Sequence, residues 1–382
     1  MLTRRKLITQ AAGITTVAAL PQFLRGAGFT MTSVDNSRSI TGAGSLKAHA
    51  SARGLLTGCA VSAKLFREDD GFRKLLIEQY NIVVPENCLK WNILRPTPDK
   101  YDFTDADNLI TFAQTNGIKV RGHNFVWHEA IPAWFAGMVT KDNAEKLLVE
   151  HIRTVGGRYK GKIHSWDVVN EAIWIQDGRP DGLRTRSPWF ELLGPEYLDL
   201  AFRTAREVDP TALLTYNDYG IEYDNEDNEK KRAAVLALLR RMKADKVPLD
   251  ALGIQAHIKA DSKDGFGKGL RELLDGARSL GLQVYVTELD VNDDALTTDD
   301  IVERDAAVAR VYRDFITNAL ESPQVKAVLT WGATDKNSWL NSRKIRKIHP
   351  DRLQRPLPFN ENYEPTAAFF EMRETFDKAK KR

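Results

Sequence analysis

Two glutamates at the ends of strand-like segments carry the chemistry that this sequence suggests. Glu171 follows Asn170 at the end of an apolar run around Trp166, and Glu288 directly follows the run Gln283–Thr287. A single glutamate in such a place is most often a solvated loop charge, because carboxylates are rarely buried without a partner. Two of them at equivalent strand ends form the acid/base and nucleophile, or acid and base, that glycoside hydrolysis requires.

The elements that must position these glutamates are eight apolar, strand-like runs separated by amphipathic, helix-like runs. The predicted strands are Leu55–Val61, Ile82–Pro85, Lys119–Val126, Lys162–Val169, Ala212–Tyr216, Ala251–His257, Gln283–Thr287 and Ala327–Trp331. The predicted helices are Gly71–Tyr80, Asp105–Thr115, Ala144–Val155, Pro195–Glu207, Glu229–Ala244, Leu270–Leu280, Thr298–Ala319 and Thr366–Lys378. Alternating strands and helices indicate βαβ units and a parallel sheet. Eight such units predict an α/β fold of the (β/α)8 TIM-barrel type, as one catalytic domain over residues 46–382.

In such a barrel the carboxyl ends of the strands meet at one mouth. Polar groups and indoles are concentrated at these ends: Glu86, Asn87, Lys90, His123, Trp127, His128, Asn170, Glu171, Gln255, His257, Glu288, Asp290, Trp331 and Trp339, with Asn217-Asp218-Tyr219 at the fifth end. Indole faces suit the apolar faces of sugar rings, and amides and imidazoles suit their hydroxyls. A lone tryptophan is more often a core residue, but the set as a whole predicts a carbohydrate site.

A metal ion is the main competing explanation for histidines and carboxylates at a barrel mouth. The first strand has no HxH motif, no cysteine and histidine set has zinc spacing, and Lys90 would place a cation among the ligands. No GxGxxG turn follows the first strand, which argues against a dinucleotide. We therefore predict no metal ion and no cofactor.

The strand-end motifs together resemble those of glycoside hydrolase family 10, the retaining β-1,4-xylanases. The matching motifs are Val84-Pro85-Glu86-Asn87, Arg121-Gly122-His123, Trp166-Asp167-Val168-Val169-Asn170-Glu171, Asn217-Asp218-Tyr219, Gln255-Ala256-His257, Thr287-Glu288-Leu289-Asp290 and Thr330-Trp331-Gly332. They occur in the family's order. The resemblance implies a (β/α)8 barrel that hydrolyses internal β-1,4-xylosidic bonds of xylan with retention of configuration.

The resemblance also implies a catalytic role for individual residues. Glu171 matches the acid/base and Glu288 the nucleophile. Asn170 matches the residue that hydrogen-bonds the sugar 2-hydroxyl beside the cleaved bond. His257 and Asp290 match a network that orients the nucleophile and keeps it ionised.

A second group of matched residues is expected to hold the sugars. Within this group, the resemblance assigns the next sugar on the non-reducing side to Glu86, Asn87 and Lys90. The resemblance assigns the walls of the two glycone subsites to His123, Trp127, Trp331 and Trp339, and it places Gln255 beside the nucleophile. His128 is expected to support these residues. Trp339 matches the residue whose bulk, in the family, leaves little room for the hydroxymethyl group that distinguishes glucose from xylose.

Two other functions remain open from the sequence. A barrel that binds sugars without cleaving them is disfavoured because Glu171 and Glu288 are both present. A barrel that uses the same carboxylate pair on cellulose or mannan is disfavoured by two sets of residues at strand ends: Glu86, Asn87 and Lys90 after the second strand, and Gln255 and His257 at the end of the sixth.

The first 45 residues are predicted to form an export signal and a linker. Thr3-Arg4-Arg5-Lys6-Leu7 precedes an apolar run that ends at Leu20, before Pro21. Paired arginines before such a run resemble a twin-arginine signal, and an ordinary secretory signal is the alternative. We expect a periplasmic or extracellular protein.

Composition limits the partners. Apolar residues make up 42% and charged residues 28% of the chain, as in a soluble globular protein. The net charge is +3, but residues beyond 40 include 50 basic and 51 acidic side chains. This balance argues against nucleic acid and against a membrane partner of the mature form. We expect a monomer that acts on β-1,4-xylan or xylo-oligosaccharides.

Three smaller features leave questions open. Cys59 and Cys88 are most simply small core residues, although their predicted strands are close enough for a disulfide. The segment Ile173–Leu192 carries three arginines, which would suit glucuronic-acid branches of xylan or simply be solvated. Six arginines and lysines between Arg343 and Arg355 raise the same choice between a binding role and a solvated loop.

Overall fold

The structure is a computed structural model that describes residues 39–382, and its centre is a closed barrel of parallel strands. The strands are β1 (Leu56–Val61), β2 (Ile82–Pro85), β3 (Lys119–Val126), β4 (Ser165–Asn170), β5 (Leu213–Asp218), β6 (Ala251–Ile254), β7 (His257–Lys259), β8 (Gln283–Asn292) and β9 (Val325–Thr330). Each strand from β1 to β5 pairs with the next, β6 pairs with β8, and β9 closes the barrel between β8 and β1. The predicted (β/α)8 TIM barrel is confirmed.

Helices lie between the strands, as the sequence pattern requires. They are α1 (Leu46–Ser51), α2 (Ala63–Glu68), α3 (Asp70–Gln79), α4 (Trp91–Leu94), α5 (Thr104–Thr115), α6 (Phe135–Met138), α7 (Lys141–Arg158), α8 (Pro188–Leu193), α9 (Tyr197–Val208), α10 (Glu226–Ala244), α11 (Lys268–Ser279), α12 (Ile301–Leu320) and α13 (Ala367–Lys378). All eight predicted helices are present. The five additional helices have four to six residues, too few for an amphipathic period to show.

Local capping groups explain where several of the long helices begin. The Asp300 carboxylate accepts hydrogen bonds from the backbone of Val302 and Glu303 at the start of α12. Thr140 and Asn143 form a capping box at the start of α7. These side chains satisfy backbone N–H groups that have no partner inside the helix.

The sixth predicted strand differs from expectation because its backbone breaks. The predicted run Ala251–His257 divides into β6 and β7, and Ala256 between them has a φ of +64°. Its N–H leaves the strand ladder and donates to Glu222 Oε1 at 3.0 Å. A left-handed alanine is unusual, so nothing in the sequence marks this break.

The seventh barrel strand also differs, because β8 continues five residues past the predicted end at Thr287. The extension pairs with β7, with His257 opposite Asp290. Glu288 therefore lies inside a strand and not in the loop that follows it. The break in the sixth strand and the extension of the seventh together place His257 beside Asp290 and Glu288.

Close packing inside the barrel requires a glycine beside the largest core ring. Trp166 is 1% exposed and stacks on Phe125, with ring centroids 4.0 Å apart. A Cβ at Gly122 would lie 2.1 Å from the Trp166 ring, so only glycine fits this position of β3. Burial of such a ring contributes about 3 kcal/mol to folding.

The remaining fold predictions concern the cysteines and the N-terminus. Cys59 and Cys88 are both buried and free, so no disulfide joins them. Within residues 39–382 no helix is long and apolar enough to cross a membrane. The twin-arginine segment of the predicted signal lies outside the described residues.

Gln79 links the start of the described chain to α3, because its amide donates to the Ile40 carbonyl at 2.7 Å.

Candidate active site

The backbone turns sharply where β4 delivers the first glutamate to the barrel mouth. Asn170 is the last residue of β4, and Glu171 follows with a φ of +59°. The Glu171 N–H donates to the Asn217 carbonyl at 2.9 Å, and the Arg184 guanidinium donates to the Glu171 carbonyl at 3.0 Å. A non-glycine residue in this conformation is held by its surroundings and is often found at functional sites.

A chain of side-chain amides connects the two glutamates. Asn170 Nδ2 donates to Glu171 Oε1 at 3.1 Å. Asn217 Nδ2 donates both to Asn170 Oδ1 at 2.8 Å and to Glu288 Oε1 at 2.7 Å. The Thr287 hydroxyl in turn donates to Asn217 Oδ1 at 2.8 Å. The two carboxyl groups are thus held in one continuous hydrogen-bonded unit.

Asn217 is central to this unit, although it is not among the site residues that the sequence predicts. Its signal was its place at the fifth strand end, inside the Asn217-Asp218-Tyr219 motif. The neighbouring strand leaves room for it: Gly253 on β6 pairs with Asn217, and a Cβ at Gly253 would lie 2.1 Å from Asn217 Oδ1. Any larger residue at 253 would displace the amide that bridges the carboxylates.

Glu288 is buried, with 5% of its surface exposed, but it is surrounded by donors. Its Oε2 lies 3.2 Å from His257 Nε2, and His257 Nδ1 lies 2.9 Å from Asp290 Oδ1. Burial alone would raise the pKa of Glu288, but the hydrogen bond from His257, the electrostatic interactions with His123 and His257 and the bond from Asn217 hold that pKa below its usual value. Glu288 is therefore ionised at neutral pH.

The same network makes His257 a cation. Burial lowers the pKa of His257, but the charges of Asp290 and Glu288 and its hydrogen bonds to both raise that pKa well above the usual value. Asp290 also accepts a hydrogen bond from Trp339 Nε1 at 2.7 Å. One carboxylate thus fixes both the imidazole behind Glu288 and an indole in the wall of the cleft.

Glu171 has the opposite electrostatic character. Burial raises its pKa, and the charges of Asp218 and Glu288 raise it further, against the hydrogen bond that Gln255 Nε2 donates to Oε1 at 3.0 Å. His128 Nδ1 lies 3.9 Å from Glu171 Oε2. Burial lowers the pKa of His128 to about 4, so this imidazole is neutral at neutral pH and does not stabilise a Glu171 anion by charge.

Aromatic side chains surround the carboxylates. Trp331 packs edge-on against His123 with ring centroids 5.1 Å apart, and Trp339 packs in the same way against His257, also at 5.1 Å. Trp127 is also near His123, with ring centroids 6.4 Å apart. Trp339 is 37% exposed, which leaves part of its ring free for a ligand.

Residues after β2 complete this wall. Lys90 Nζ donates to Asn87 Oδ1 at 3.0 Å and lies 5.1 Å from the Trp127 ring and 5.6 Å from the Trp331 ring. Burial raises the pKa of Glu86, while the charge of Lys90 lowers it. The structure therefore places an amide, an ammonium and a carboxyl group next to the indole walls.

A buried carboxylate positions His123 from behind. Asp167 Oδ2 lies 2.9 Å from His123 Nδ1, and the Arg121 guanidinium forms an ion pair with the other oxygen of Asp167. All three side chains are at most 2% exposed. Asp167 and Arg121 occur in the motifs quoted above, but their supporting role depends on contacts between β3 and β4 that the sequence does not show.

All of the predicted site residues therefore lie at one mouth of the barrel. No predicted residue is displaced to another part of the molecule. Among residues 39–382 no three histidine, cysteine, aspartate or glutamate side chains converge so that they could hold a metal ion.

A second buried pair lies behind Glu171. Lys231 Nζ is 2.8 Å from Asp218 Oδ1, with 6% and 0% of the side chains exposed, and it lies 3.8 Å from the centre of the Tyr219 ring. Arg184 Nη2 is 3.5 Å from the Tyr219 hydroxyl. Lys231 compensates the Asp218 charge that would otherwise act on Glu171 in full.

This arrangement predicts opposite pH shifts for two neighbouring variants. Asp218→Asn removes a negative charge, so the pKa of Glu171 should fall and the basic limb of the kcat/KM profile should move to lower pH. Lys231→Met leaves Asp218 uncompensated, so the limb should move to higher pH. The measurement is the pH dependence of kcat/KM. The double variant is the control, with a limb near that of the wild type, and shifts in the same direction would refute the electrostatic role.

A parallel barrel whose mouth joins one carboxyl group of raised pKa and one of lowered pKa, walled by indoles and amides, has the features of a glycoside hydrolase. Residues 45–375 match glycosyl hydrolase family 10, and the chain belongs to this family. The predicted family and enzyme class are thus confirmed.

Similar proteins agree over most of the barrel. The chain is 36% identical over 318 residues to a beta-1,4-xylanase of Dictyoglomus thermophilum, a match that covers 79% of this chain and 83% of that protein. Native xylanase 10B from Thermotoga maritima superposes with a TM-score of 0.77 at 34% identity, covering 87% of this chain and 98% of the other. Xylanase 10B from Thermotoga petrophila in complex with xylobiose gives 0.77 at 33%, covering 87% and 97%.

Proposed function

We propose that this enzyme cleaves internal β-1,4-xylosidic bonds of xylan with retention of configuration, with Glu171 as acid/base and Glu288 as nucleophile. The observation that carries the proposal is that the pKa values of the two carboxyl groups are shifted in opposite directions within one hydrogen-bonded unit. The pKa of Glu171 is raised and the pKa of Glu288 is lowered, which separates an acid from a nucleophile.

In the first step Glu171 donates its proton to the glycosidic oxygen while Glu288 attacks the anomeric carbon. The bond to the leaving sugar breaks, and an ester to Glu288 forms. His257 and Asn217 hold the Glu288 carboxylate in place for this attack. Asn170, already oriented by Asn217, is positioned to hydrogen-bond the 2-hydroxyl of the reacting sugar.

In the second step Glu171 takes a proton from water, which attacks the same carbon and releases the sugar. Formation of the ester removes the charge of Glu288, which is one source of the raised pKa of Glu171. The pKa of Glu171 therefore falls when the intermediate forms, and the same side chain changes from acid to base. Two inversions at one carbon give overall retention.

The sugar-binding assignments complete the proposal. Glu86, Asn87 and Lys90 hold the sugar on the non-reducing side, and Trp127 and Trp331 form its walls. Trp339, fixed by its bond to Asp290, occupies the space that a glucose hydroxymethyl group would need. A solved relative holds xylobiose, which is a β-1,4-linked pair of xyloses and fits this assignment.

The proposal for cellular location depends on the N-terminal sequence alone. Paired arginines before an apolar run support export by a twin-arginine route. We infer that the mature enzyme acts as a monomer in the periplasm or outside the cell, on β-1,4-xylan or xylo-oligosaccharides.

Reducing-sugar release from several polymers tests the proposed substrate. Xylan is expected to be cleaved at least about 10-fold faster than carboxymethylcellulose or mannan, because an extra hydroxymethyl group that clashes costs about 1–3 kcal/mol in a tight site. Early products should be a range of oligosaccharides, since the attack is internal. Faster cleavage of the cellulose substrate, or release of single xyloses only, would contradict the proposal.

A further inference from the structure

The six basic residues from Arg343 to Arg355 fall into two groups in the structure. Arg352 Nη1 donates to Asp299 Oδ1 at 3.0 Å, and Arg355 makes two hydrogen bonds to Asp305. These two cations are neutralised, and they attach the segment to the neighbouring α12 region.

The second group is exposed. Residues 342–349, which we call the basic loop, contain four cations: Arg343, Lys344, Arg346 and Lys347. Arg346 Nε donates to the Asn341 carbonyl at 3.1 Å. The charged ends of Arg343, Lys344 and Lys347 have no carboxylate partner in the described part of the chain, and all three residues are exposed. Because the chain beyond residue 40 is nearly neutral overall, this is a concentrated positive surface.

The backbone of the basic loop is held firmly. The Asp294 carboxylate accepts three hydrogen bonds, of 2.9 to 3.1 Å, from the consecutive N–H groups of residues 347–349. At the base of the loop, Asn341 Oδ1 accepts from the Gln354 N–H at 2.7 Å, and Asn341 Nδ2 donates to the Gln354 carbonyl at 3.1 Å. A loop closed at its base with unpaired cations at its tip is suited to binding an anion at little entropic cost.

The basic loop is joined to the wall of the cleft at both ends. The Ser342 N–H donates to the carbonyl of Trp339, whose indole is bonded to Asp290 beside the nucleophile. Asp294, which holds the other end of the loop, lies four residues after Asp290 on the same chain segment. A polymer lying against Trp339 therefore passes the foot of this loop.

The other arginine-rich segment, Ile173–Leu192, does not offer comparable cations. Arg179 makes two hydrogen bonds to Asp181, and Arg186 lies 3.5 Å from Asp177. Arg184 is buried and bonded to a backbone carbonyl. Of the two arginine-rich segments, the basic loop is therefore the one whose exposed cations have no carboxylate partner among the described residues.

Resting on the proposed function, we propose that the basic loop binds the carboxylate of uronic-acid branches on xylan, so that the enzyme favours acidic over neutral xylan. The xylan backbone is uncharged, and its uronic-acid branches are carboxylates, which arginine and lysine bind through charge-assisted hydrogen bonds. The loop acts on the branch and the cleft acts on the backbone. Specificity for decoration is then separate from the chemistry.

The test compares one glucuronoxylan with its carboxyl-reduced form, which has the same backbone and the same branching but no charge. The variant Arg343→Gln/Lys344→Gln/Lys347→Gln should lower the ratio of kcat/KM values, charged over reduced, by about 5-fold, since three exposed cations each contribute a modest amount. About 1 M NaCl should lower the same ratio in the wild type, because charges are then screened beyond about 3 Å.

A matched control removes three exposed cations at the opposite end of the barrel, with Lys119→Gln/Lys160→Gln/Lys162→Gln, and should leave the ratio unchanged. Turnover of neutral xylohexaose by the wild type reports the proposed function independently. An unchanged ratio in the basic-loop variant, or equal losses on the charged and reduced polymers, would overturn the proposal. Failure of the wild type on xylohexaose would instead refute the proposed function itself.

Discussion

Replacing Glu288 by alanine is expected to reduce turnover of xylan by about 10⁵-fold or more, as loss of a covalent nucleophile does in other hydrolases. The physical reason is that the attacking oxygen disappears while Glu171 remains able to donate a proton. Azide can occupy the space that the side chain leaves. With an aryl β-xylobioside, azide should restore activity and give the α-glycosyl azide, because it attacks from the side of the missing carboxylate. Product anomers are read by NMR.

Two controls make this experiment decisive. Azide should not accelerate the wild type, and Glu129→Ala, which removes a carboxylate that is 65% exposed at the same mouth, should keep most of the wild-type activity. The assignment of Glu288 as nucleophile fails if rescue of Glu288→Ala yields the β-glycosyl azide. It also fails if the variant retains turnover without azide.

The location of the strand-end glutamates could be predicted because the carboxyl ends of all strands in a parallel barrel meet at one mouth. A residue that follows a predicted strand is therefore expected at that mouth. Each strand and helix has its own period, and eight repeats fix which ends meet. Glu171 and Glu288 could therefore be assigned to one mouth without any knowledge of contacts. Their pairing follows from topology, which the hydrophobic pattern determines.

Asn217 and Lys231 show where this reasoning stops. Asn217 lies near the end of a strand like many other polar residues, and only its two donated hydrogen bonds distinguish it. Lys231 lies on α10 within the charged run Lys230-Lys231-Arg232, which reads as a solvated helix face. Its burial against Asp218 depends on a contact between elements, and no local period encodes such a contact.

The break between β6 and β7 could not be predicted from the sequence for a related reason. Residues in the left-handed conformation are usually glycine or asparagine. Here Ala256 adopts this conformation because its N–H donates a hydrogen bond to Glu222. The tertiary hydrogen bond overrides the local preference. That break changes the direction of the chain between Gln255, which contacts Glu171, and His257, which contacts Glu288.

Replacing Glu171 by alanine is expected to separate the two catalytic steps. Xylan has a poor leaving group that needs a proton, so kcat/KM should fall about 10³-fold, within the range for loss of a general acid. A dinitrophenyl β-xylobioside needs no proton, so formation of the glycosyl-enzyme should be nearly as fast as in the wild type. Deglycosylation then lacks its base, and a burst of dinitrophenol followed by slow turnover should appear.

Azide gives this variant a product opposite to that of Glu288→Ala. Here azide attacks the α-linked ester on Glu288 from the face that Glu171 has vacated, so the second inversion yields the β-glycosyl azide. Azide thus identifies the face of the sugar on which each glutamate lies, because the anomer of the product depends on which carboxylate is absent. The Glu129→Ala variant again serves as the control and should show neither burst nor azide product. An α-glycosyl azide from Glu171→Ala would mean that Glu171 is the nucleophile and not the acid/base. Equal losses of activity on the activated substrate and on xylan would show that Glu171 is not the general acid.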